Sequence, residues 1–550
     1  MKNNKPLYTA WILLTLLLLF SWYKISRLTG GHFCYSLDDA FIHMAVAKNF
    51  ALHGVWGITS DAYGSASSSP LFTVMLAAVY RTGINGYMVG FWINVAAAYL
   101  LLYSTHRILA KYGMPEFGRT LVLVALIILL PFTVMILTGM EHLLHLWFSL
   151  LFVQAVVEMI TAERVTLRQM LIAGAYGALM TGARFESLFL LGAAGLLLLF
   201  YRKIGTALVV GMIAVLPVVI FAVVSVAYGG YILPNSVLLK SSGGSASTGS
   251  VLQALQDIIV YRLMYGNSTV LGLFNADHSK AYASSISGTS LIRILIILPL
   301  LVVVVKVKGA GNTTRQAVNF GILVSIGCAL HLALAAVGWM FRYEAYLVGL
   351  ALVSMSLLLW CVWPQATAIY QGINLPQKAV LLLLLFFAGS PLLARALSGY
   401  RVQYRACRNI YEQQVQMGRF LQQYYPETSV AANDIGAVSF LSDSRIIDVW
   451  GLGNNEVAKS KLTGHYSDAY LVGFLKKERV KIAVIYKNWY SPELYGKWAA
   501  VGDWTIQDNV VCADKIVHFF ALDSADAPGL RRNLEAFKAQ MPASVRAVVY

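Results

Sequence analysis

The sequence predicts an α-helical, multi-pass membrane protein that ends in a small α/β domain. Three observations carry that reading. Of 550 residues, 58% are hydrophobic and only 12% charged, and mean hydropathy is +0.65, which is too apolar for a soluble domain of ordinary composition. Apolar segments close to the ~20 residues needed to cross a bilayer recur through the first part of the chain. From residue 400 onward the pattern changes to short strand-like and helix-like segments with ordinary charge density, as an alternating α/β domain requires.

The N-terminal stretch MKNNKPLYTAWILLTLLLLFSWYKISR has a basic start and an apolar run with no small-residue cleavage site behind it, so it reads as a retained first span. Counting this first one, spans fall near 8–23, 85–105, 119–137, 142–160, 169–182, 186–200, 206–227, 290–305, 317–338, 344–362 and 378–395, about eleven in all. Arg184 and Glu186 interrupt the run 169–200. As one helix it would be ~48 Å long, too long for a simple crossing, so it is split there. With the N-terminus inside, Arg107, Lys111 and Arg119, then Arg164 and Arg168, Arg202 and Lys203, Lys306, Lys308 and Arg315, and finally Lys378 all fall in inner loops. Lys and Arg clustered in inner loops explain the positive net charge, +16 over the chain, better than a nucleic-acid partner does.

The outward turns are then 24–84, 138–142, 181–186, 228–289 and 339–344, and they hold Asp38, Asp39, Asp61, Glu141, Glu186, Asp257, Asp277 and Glu344. Glu116, Glu158 and Glu163 remain inside. Any chemistry therefore belongs to the outer side. The membrane half is residues 1–399, and an odd number of spans places the α/β domain 400–550 outside, over the membrane cavity. Within it TSVAAND and VKIAVIY read as strands and DAYLVGFLKKERV as a helix. SSGGSASTGS, at 241–250, reads as a flexible loop tip. The five cysteines are far apart, without a CxxC pair or metal-ligand spacing; Cys407 and Cys512 can pair if their region faces an oxidising compartment.

The first outer loop opens with YSLDDAFIHMAVAKNF at 35–50. Ser36-Leu37-Asp38-Asp39 fits a helix-capping pattern, which needs no function. The helix that follows carries Phe41, Ile42, Ala45 and Leu52 on one side and Lys48 and Asn49 towards another, the pattern of a helix along a membrane surface. DAYGSASSSPLFTVMLAAVY then runs from a small-residue loop into a short apolar helix at Pro70.

In order along the chain stand LDDAFIHMAVAKNFALHG, YGSASSSPLFTVMLA, TGMEHLLHLWFSLL, TGARFESLFLL, YGGYILPNSVLLKSS and, in the outer domain, NDIGAVSFLSDSRIIDVWGL. This succession resembles the GT-C superfamily of polyprenyl-phosphate-sugar-dependent membrane glycosyltransferases, with the nearest pattern in the mycobacterial terminal arabinofuranosyltransferase and its bacterial relatives. Arg184-Phe185-Glu186 stands where relatives tend to have Arg-Pro-Glu, and 64–69 matches loosely. The resemblance implies a GT-C fold in a bacterial cytoplasmic membrane. It also implies transfer of a single sugar, a pentofuranose such as arabinofuranose, from a polyprenyl-phosphate carrier to an acceptor hydroxyl on the periplasmic side. The acceptor is a cell-envelope glycan, a lipid or a surface protein.

That chemistry needs a base near the hydroxyl and positive charge near the departing phosphate. Asp38 is the first choice for the base and Asp39 the second. Arg184 and Arg342, with Lys240 behind them, are the phosphate ligands, set against ion pairing with Glu186 or Glu344 or snorkelling to the interface. Glu141 and Glu186 orient the arginines or bind sugar hydroxyls, and for Glu141 a helix cap is an equal reading. His43, one turn after Asp39, reaches the same site or is a packed residue. Asn235 touches donor or acceptor, or shapes a turn with Pro234. No cofactor is required; a divalent cation, if used, would find oxygen ligands in Asp38, Asp39 and Glu141. The competing functions are a ligase moving a preassembled glycan from polyprenyl pyrophosphate, a lipid or sugar transporter, and a scaffold. A transporter would favour ionisable groups at the bilayer midplane and repeated halves. The outer domain either binds the acceptor or acts as a structural lid.

Overall fold

The computed structural model describes residues 4–84, 86–241, 311–335, 340 and 342–550. The membrane half begins with α1 (Lys5–Leu28), α2 (Asp39–His53), α3 (Pro70–Tyr80), α4 (Val89–Lys111), α5 (Glu116–Leu129), α6 (Phe132–Leu137) and α7 (His142–Thr161). It continues with α8 (Leu167–Ala183), α9 (Leu188–Phe200), α10 (Ile204–Ala227), α11 (Asn235–Ser241), α12 (Asn312–Leu334), α13 (Ala345–Cys361), α14 (Trp363–Gly372) and α15 (Leu375–Ile410). Proline stands in the first turn of α1, α3, α14 and α15, where its missing N–H costs nothing. Capping boxes, Thr166 with Gln169 and Asn374 with Gln377, start α8 and α15.

Among the described residues α1, α7 and α10 are singly long and apolar enough to cross a membrane, and α13 with α14, bent by 68°, makes a fourth candidate. The expected segment 119–137 is broken at Leu130-Pro131 into α5 and α6, because proline removes a helix donor. The expected break in 169–200 falls at Arg184, whose backbone is extended (φ −156°, ψ 138°) ahead of a single turn at Phe185–Ser187. The segment 290–305 and positions 242–250 of the loop tip lie outside the described residues. The last expected segment, 378–395, is far too short. α15 continues through a π-helical turn at Tyr411–Val415 into α16 (Gln416–Tyr424). The apolar pattern stops at the membrane boundary but no proline stops the helix between 396 and 424, so the 399/400 boundary lies inside a continuous rod.

The outer domain follows as β1 (Ser429–Ala432), α17 (Gly436–Leu441), β2 (Arg445–Asp448), α18 (Asn455–Leu462), α19 (Asp468–Lys477) and β3 (Ile482–Ile485). It ends with α20 (Pro492–Tyr495), β4 (Ala499–Thr505), β5 (Ile516–Ala521), α21 (Ala527–Lys538) and β6 (Arg546–Val549). The sheet order is β2-β1-β3-β5-β4-β6, with β1 parallel to β2 and β3 and the remaining pairs antiparallel. Side chains alternate between faces as a pleated strand requires. Val430, Ala432, Ile482 and Val484 pack with Phe420, Leu530, Leu534 and Phe537. Ala431, Ala483 and Ile485 pack on the other face with Val457, Leu471, Phe474 and Leu475. Cys407 and Cys512 form no disulfide; the Cys512 thiol donates to Gln414 Oε1 at 3.4 Å.

The two halves meet on α2, and here the surface-helix expectation is corrected. Residues 40–47 of α2 are all buried. Phe41, Met44, Ala45 and Ala47 join the membrane core, whereas Ile42 and Val46 join the outer-domain core beside Ile58 and Ala66. Apolar residues on every side of this stretch leave it no face for solvent, and only the last turn, with Phe50 and Leu52, is exposed. The capping expectation is corrected too. Asp38 makes no side-chain cap to α2, and the Ser36 hydroxyl donates to the Leu137 carbonyl at 3.2 Å. The Asp38 carboxylate instead accepts the backbone N–H groups of Gly436 at 2.6 Å and Ala437 at 2.8 Å, where α17 begins. Hydrogen bonds to a charged group contribute about 1.5–3 kcal/mol each.

A Cβ on Gly436 would fall 2.6 Å from Asp38 Oδ2. Gly436→Ala is therefore expected to destabilise the protein by about 1–3 kcal/mol, the usual cost of overpacking, and to raise amide exchange in α2 and α17 together. Hydrogen exchange by mass spectrometry checks this, and exchange unchanged in α2 would show that the contact does not join the halves.

Candidate active site

The break at Arg184 points its guanidinium inward, where the side chain is 4% exposed. Nη1 donates to Glu141 Oε1 at 2.6 Å, while Nη2 and Nε donate to the two oxygens of Glu186 at 2.6 and 3.1 Å. This fork geometry suits arginine and leaves Arg184 already matched by two carboxylates. His43, buried on α2, shares a hydrogen bond with the Ser67 hydroxyl at 2.9 Å and has Nε2 3.7 Å from Glu141 Oε2. Burial holds its pKa below the ordinary imidazole value, although Glu141 pulls the other way.

Arg342 has one carboxylate partner. Its Nη2 lies 2.5 Å from Asp39 Oδ2, Nη1 donates to Met140 Sδ at 2.8 Å, and Nε has no hydrogen-bond partner among the described residues. Both arginines lie over the Tyr343 ring, at 5.7 Å for Arg184 and 5.1 Å for Arg342. Glu344 turns away and binds Arg395 of α15 at 2.8 Å, both fully buried. In the Asp39–Arg342 pair the arginine side chain is 1% exposed and the aspartate 27%, so Asp39 is the member that a substrate can reach.

Two cavities meet at that pair. One, of about 450 Å³, is walled by Phe185, Leu188, Phe189, Leu233, Val237 and Leu334, with Asp39, His43, Arg184, Glu186 and Arg342 among its polar groups. The other, of about 360 Å³, lies against the outer domain and is lined by Asp38, Gln414, Asn433, Asp434, Trp450 and Trp489 among others. Asp39, Ile42, Arg342, Tyr343 and Leu452 border both. The first pairs an apolar wall with charged groups at one end, and the second sets polar side chains beside two indoles.

The structure thus gathers Asp39, His43, Arg184, Glu186 and Arg342 around one cavity, with Glu141 behind them. Asp38 is turned to the outer domain, which uses both its oxygens. Asn235 donates to Asn455 Oδ1 at 2.8 Å and its backbone N–H to Ser65 O at 3.1 Å, tying α11 to the outer domain and the first loop. Lys240 lies in α11, but its side chain is outside the described residues. Asp38, Asp39 and Glu141 do not converge, and among the described residues no group of three His, Cys, Asp or Glu side chains is arranged to hold a metal.

Sequence reasoning missed Tyr343, Gln414, Asn433, Asp434, Trp450 and Trp489. Asn433-Asp434 and Asp448-Val449-Trp450 were visible as polar residues directly after strands, inside a motif already singled out. Gln414, on a π-helical turn, has no such signal.

A family model described as a domain of unknown function, DUF8728, matches residues 408–520. No curated protein matches the chain in sequence. Among solved structures, the chain is similar to ArnT from Cupriavidus metallidurans bound to undecaprenyl phosphate. Identity is 14%, coverage 94% of this chain and 99% of that one, and the TM-score 0.52. The apo state of the same protein gives 13% identity, 94% and 99% coverage and a TM-score of 0.47. The Archaeoglobus fulgidus oligosaccharyltransferase in complex with zinc and sulfate gives 13% identity, 97% of this chain, 74% of that one and a TM-score of 0.43. The likeness to undecaprenyl-phosphate-bound ArnT is one of fold: a mostly helical chain with a C-terminal α/β sheet domain.

Two predictions follow from the charges. Arg184→Met leaves Glu141 and Glu186 without their cation and is expected to destabilise by about 3–5 kcal/mol, with Glu141→Gln in the same chain restoring part of the loss; equal thermal midpoints would contradict the network. Lys461 Nζ lies 3.3 Å from the centroid of the Trp450 ring, and burial lowers its pKa from 10.5 to about 8, against the pull of Asp448. Between those values the unfolded chain binds more protons, so stability is expected to rise with pH from about 8 towards 10.5. Denaturant titrations should show that slope in wild type and not in Lys461→Met.

Proposed function

We propose that this chain is a membrane glycosyltransferase that moves one sugar from a polyprenyl-phosphate carrier to an acceptor hydroxyl on the outer side of a bacterial cytoplasmic membrane. The observation that carries this reading is the Asp39–Arg342 pair, on the wall common to an apolar-walled cavity among the helices of the first half and a cavity under the α/β sheet lined by Asn433, Asp434, Trp450 and Trp489. The fold, and the undecaprenyl phosphate bound to ArnT, support a polyprenyl carrier by analogy. A pentofuranose such as arabinofuranose is the donor sugar suggested by the resemblance of the whole motif succession to arabinofuranosyltransferases, and the first-loop acidic pair favours transfer of a single sugar.

In this scheme Asp39 is the base, because it is reachable and borders both cavities, whereas both oxygens of Asp38 are engaged by Gly436 and Ala437. The donor phosphate draws Arg342 away from Asp39, so the anion site and the base are released together. The acceptor oxygen then bonds to the anomeric carbon as the bond from that carbon to the phosphate oxygen breaks. The phosphate keeps the electron pair beside Arg342, and the hydroxyl proton passes to Asp39. A single displacement of this kind inverts the anomeric centre. Arg184, held by two carboxylates, fixes Tyr343 and the cavity wall.

The test is turnover by purified protein in nanodiscs with polyprenyl-phosphate pentose and hexose donors. Asp39→Asn is expected to slow transfer by ~10²–10⁴-fold and Arg342→Ala by ~10²–10³-fold. Wild-type turnover in Asp39→Asn would refute the assignment of the base, and failure of every donor would refute the transferase reading.

A further inference from the structure

The outer sheet brings a second set of polar groups to the Asp39 wall. From β1 the chain passes to β2 on one side, and β3 then returns to the other side of β1, giving the order β2-β1-β3 with all three strands parallel. Open α/β sheets bind ligands outside the carboxyl ends of their strands where the order reverses in this way. Here the residues that follow those ends are Asn433 and Asp434 after β1, Trp450 after β2 and Trp489 after β3, and all four line the 360 Å³ cavity.

These groups are fixed before any ligand arrives. Asp448 accepts the backbone N–H groups of Trp450, Gly451 and Gly453 at 2.8, 3.0 and 2.6 Å, which sets the loop after β2. Trp450 is held between Lys461 and Trp489, the two indoles 4.5 Å apart and inclined by 55°, and both remain half-buried. Asp434 accepts from Gln414 Nε2 at 2.8 Å and from the Tyr486 hydroxyl at 3.0 Å. Asn433 is 3% exposed; its Oδ1 accepts from the Tyr486 N–H at 3.2 Å, but its Nδ2 has no hydrogen-bond partner among the described residues. A buried amide donor left unmatched at a cavity wall costs free energy that a ligand oxygen would recover.

We infer that this cavity is the acceptor subsite and that it takes a saccharide, with Trp489, braced by Trp450, against the C–H face of a sugar ring and Asn433 and Asp434 on its hydroxyls. A sugar combines apolar faces with paired donors and acceptors, as this wall does. An extended peptide would instead seek a free sheet edge, and the cavity lies at strand ends. The acceptor role rests on the transferase reading; saccharide binding does not.

Saturation-transfer NMR on the full-length protein in nanodiscs tests this with three probes: a linear arabinan tetrasaccharide, maltotetraose and a serine-rich peptide. Transfer to one of the saccharides is expected, with affinity lowered about tenfold in Trp489→Ala, equivalent to ~1.4 kcal/mol, and also lowered in the isosteric Asp434→Asn. Both variants should keep the thermal shift given by undecaprenyl phosphate, which shows that they are folded. No saccharide signal in wild type, or signals equal in wild type and both variants, would overturn the inference, and a signal from the peptide alone would assign the cavity to a protein. If undecaprenyl phosphate does not shift wild type while saccharide binding still depends on Trp489, the transferase reading fails and the saccharide site stands.

Discussion

The buried Asp38 carboxylate is the contact on which the arrangement of this molecule depends. It belongs to the first loop of the membrane half, yet both oxygens are spent on the first backbone N–H groups of α17 in the outer domain. Burial and the neighbouring Asp434 raise its pKa, while the two N–H groups pull it down. A buried carboxyl group is tolerable only with such partners, so the two halves cannot separate without stranding it. Glycine at 436 lets the two backbones approach closely enough for the bond to form.

Docking fixes α2 between two cores, and α2 in turn divides the work of two neighbouring aspartates. Adjacent helical positions point about 100° apart, so once Asp38 faces the outer domain Asp39 faces Arg342. The continuous run of α15 into α16 carries the outer sheet on the last membrane helix, and its strand ends come to rest beside the wall that Asp39 occupies. The chemistry proposed for the site needs this: a donor head and an acceptor hydroxyl must meet within hydrogen-bonding reach of one carboxylate.

Much of this was legible locally. The strands TSVAAND and VKIAVIY and the helix DAYLVGFLKKERV appear as β1, β3 and α19, because alternation and helical spacing are properties of a short window. The break at Arg184 was legible because a helix of that length fits no bilayer. Asp39, His43, Arg184, Glu186 and Arg342, expected at turns on one side of the chain, line one cavity. The length of α15 was not legible, since the run of apolar residues ends well before the helix does. Burial of α2 on every side was also missed: Lys48 and Asn49 suggested a wet face, but the Asn49 amide donates to the Gly57 carbonyl and Lys48 reaches Asp443 and the Phe440 carbonyl in the outer domain.

The sequence by itself determined the apolar segments, the strands and helices of the C-terminal domain, and the collection of carboxylates and arginines at turns between apolar segments, because each follows from composition or periodicity within a few residues. Only the tertiary structure decided which partner each charge takes. Asp38 and Asp39 are the same residue type in adjacent positions, and what separates them is a contact across 398 positions of chain. Arg342 binds Asp39 and not the nearby Glu344, which Arg395 claims. Such pairings are set by packing between distant elements, and short-range pattern carries no record of them.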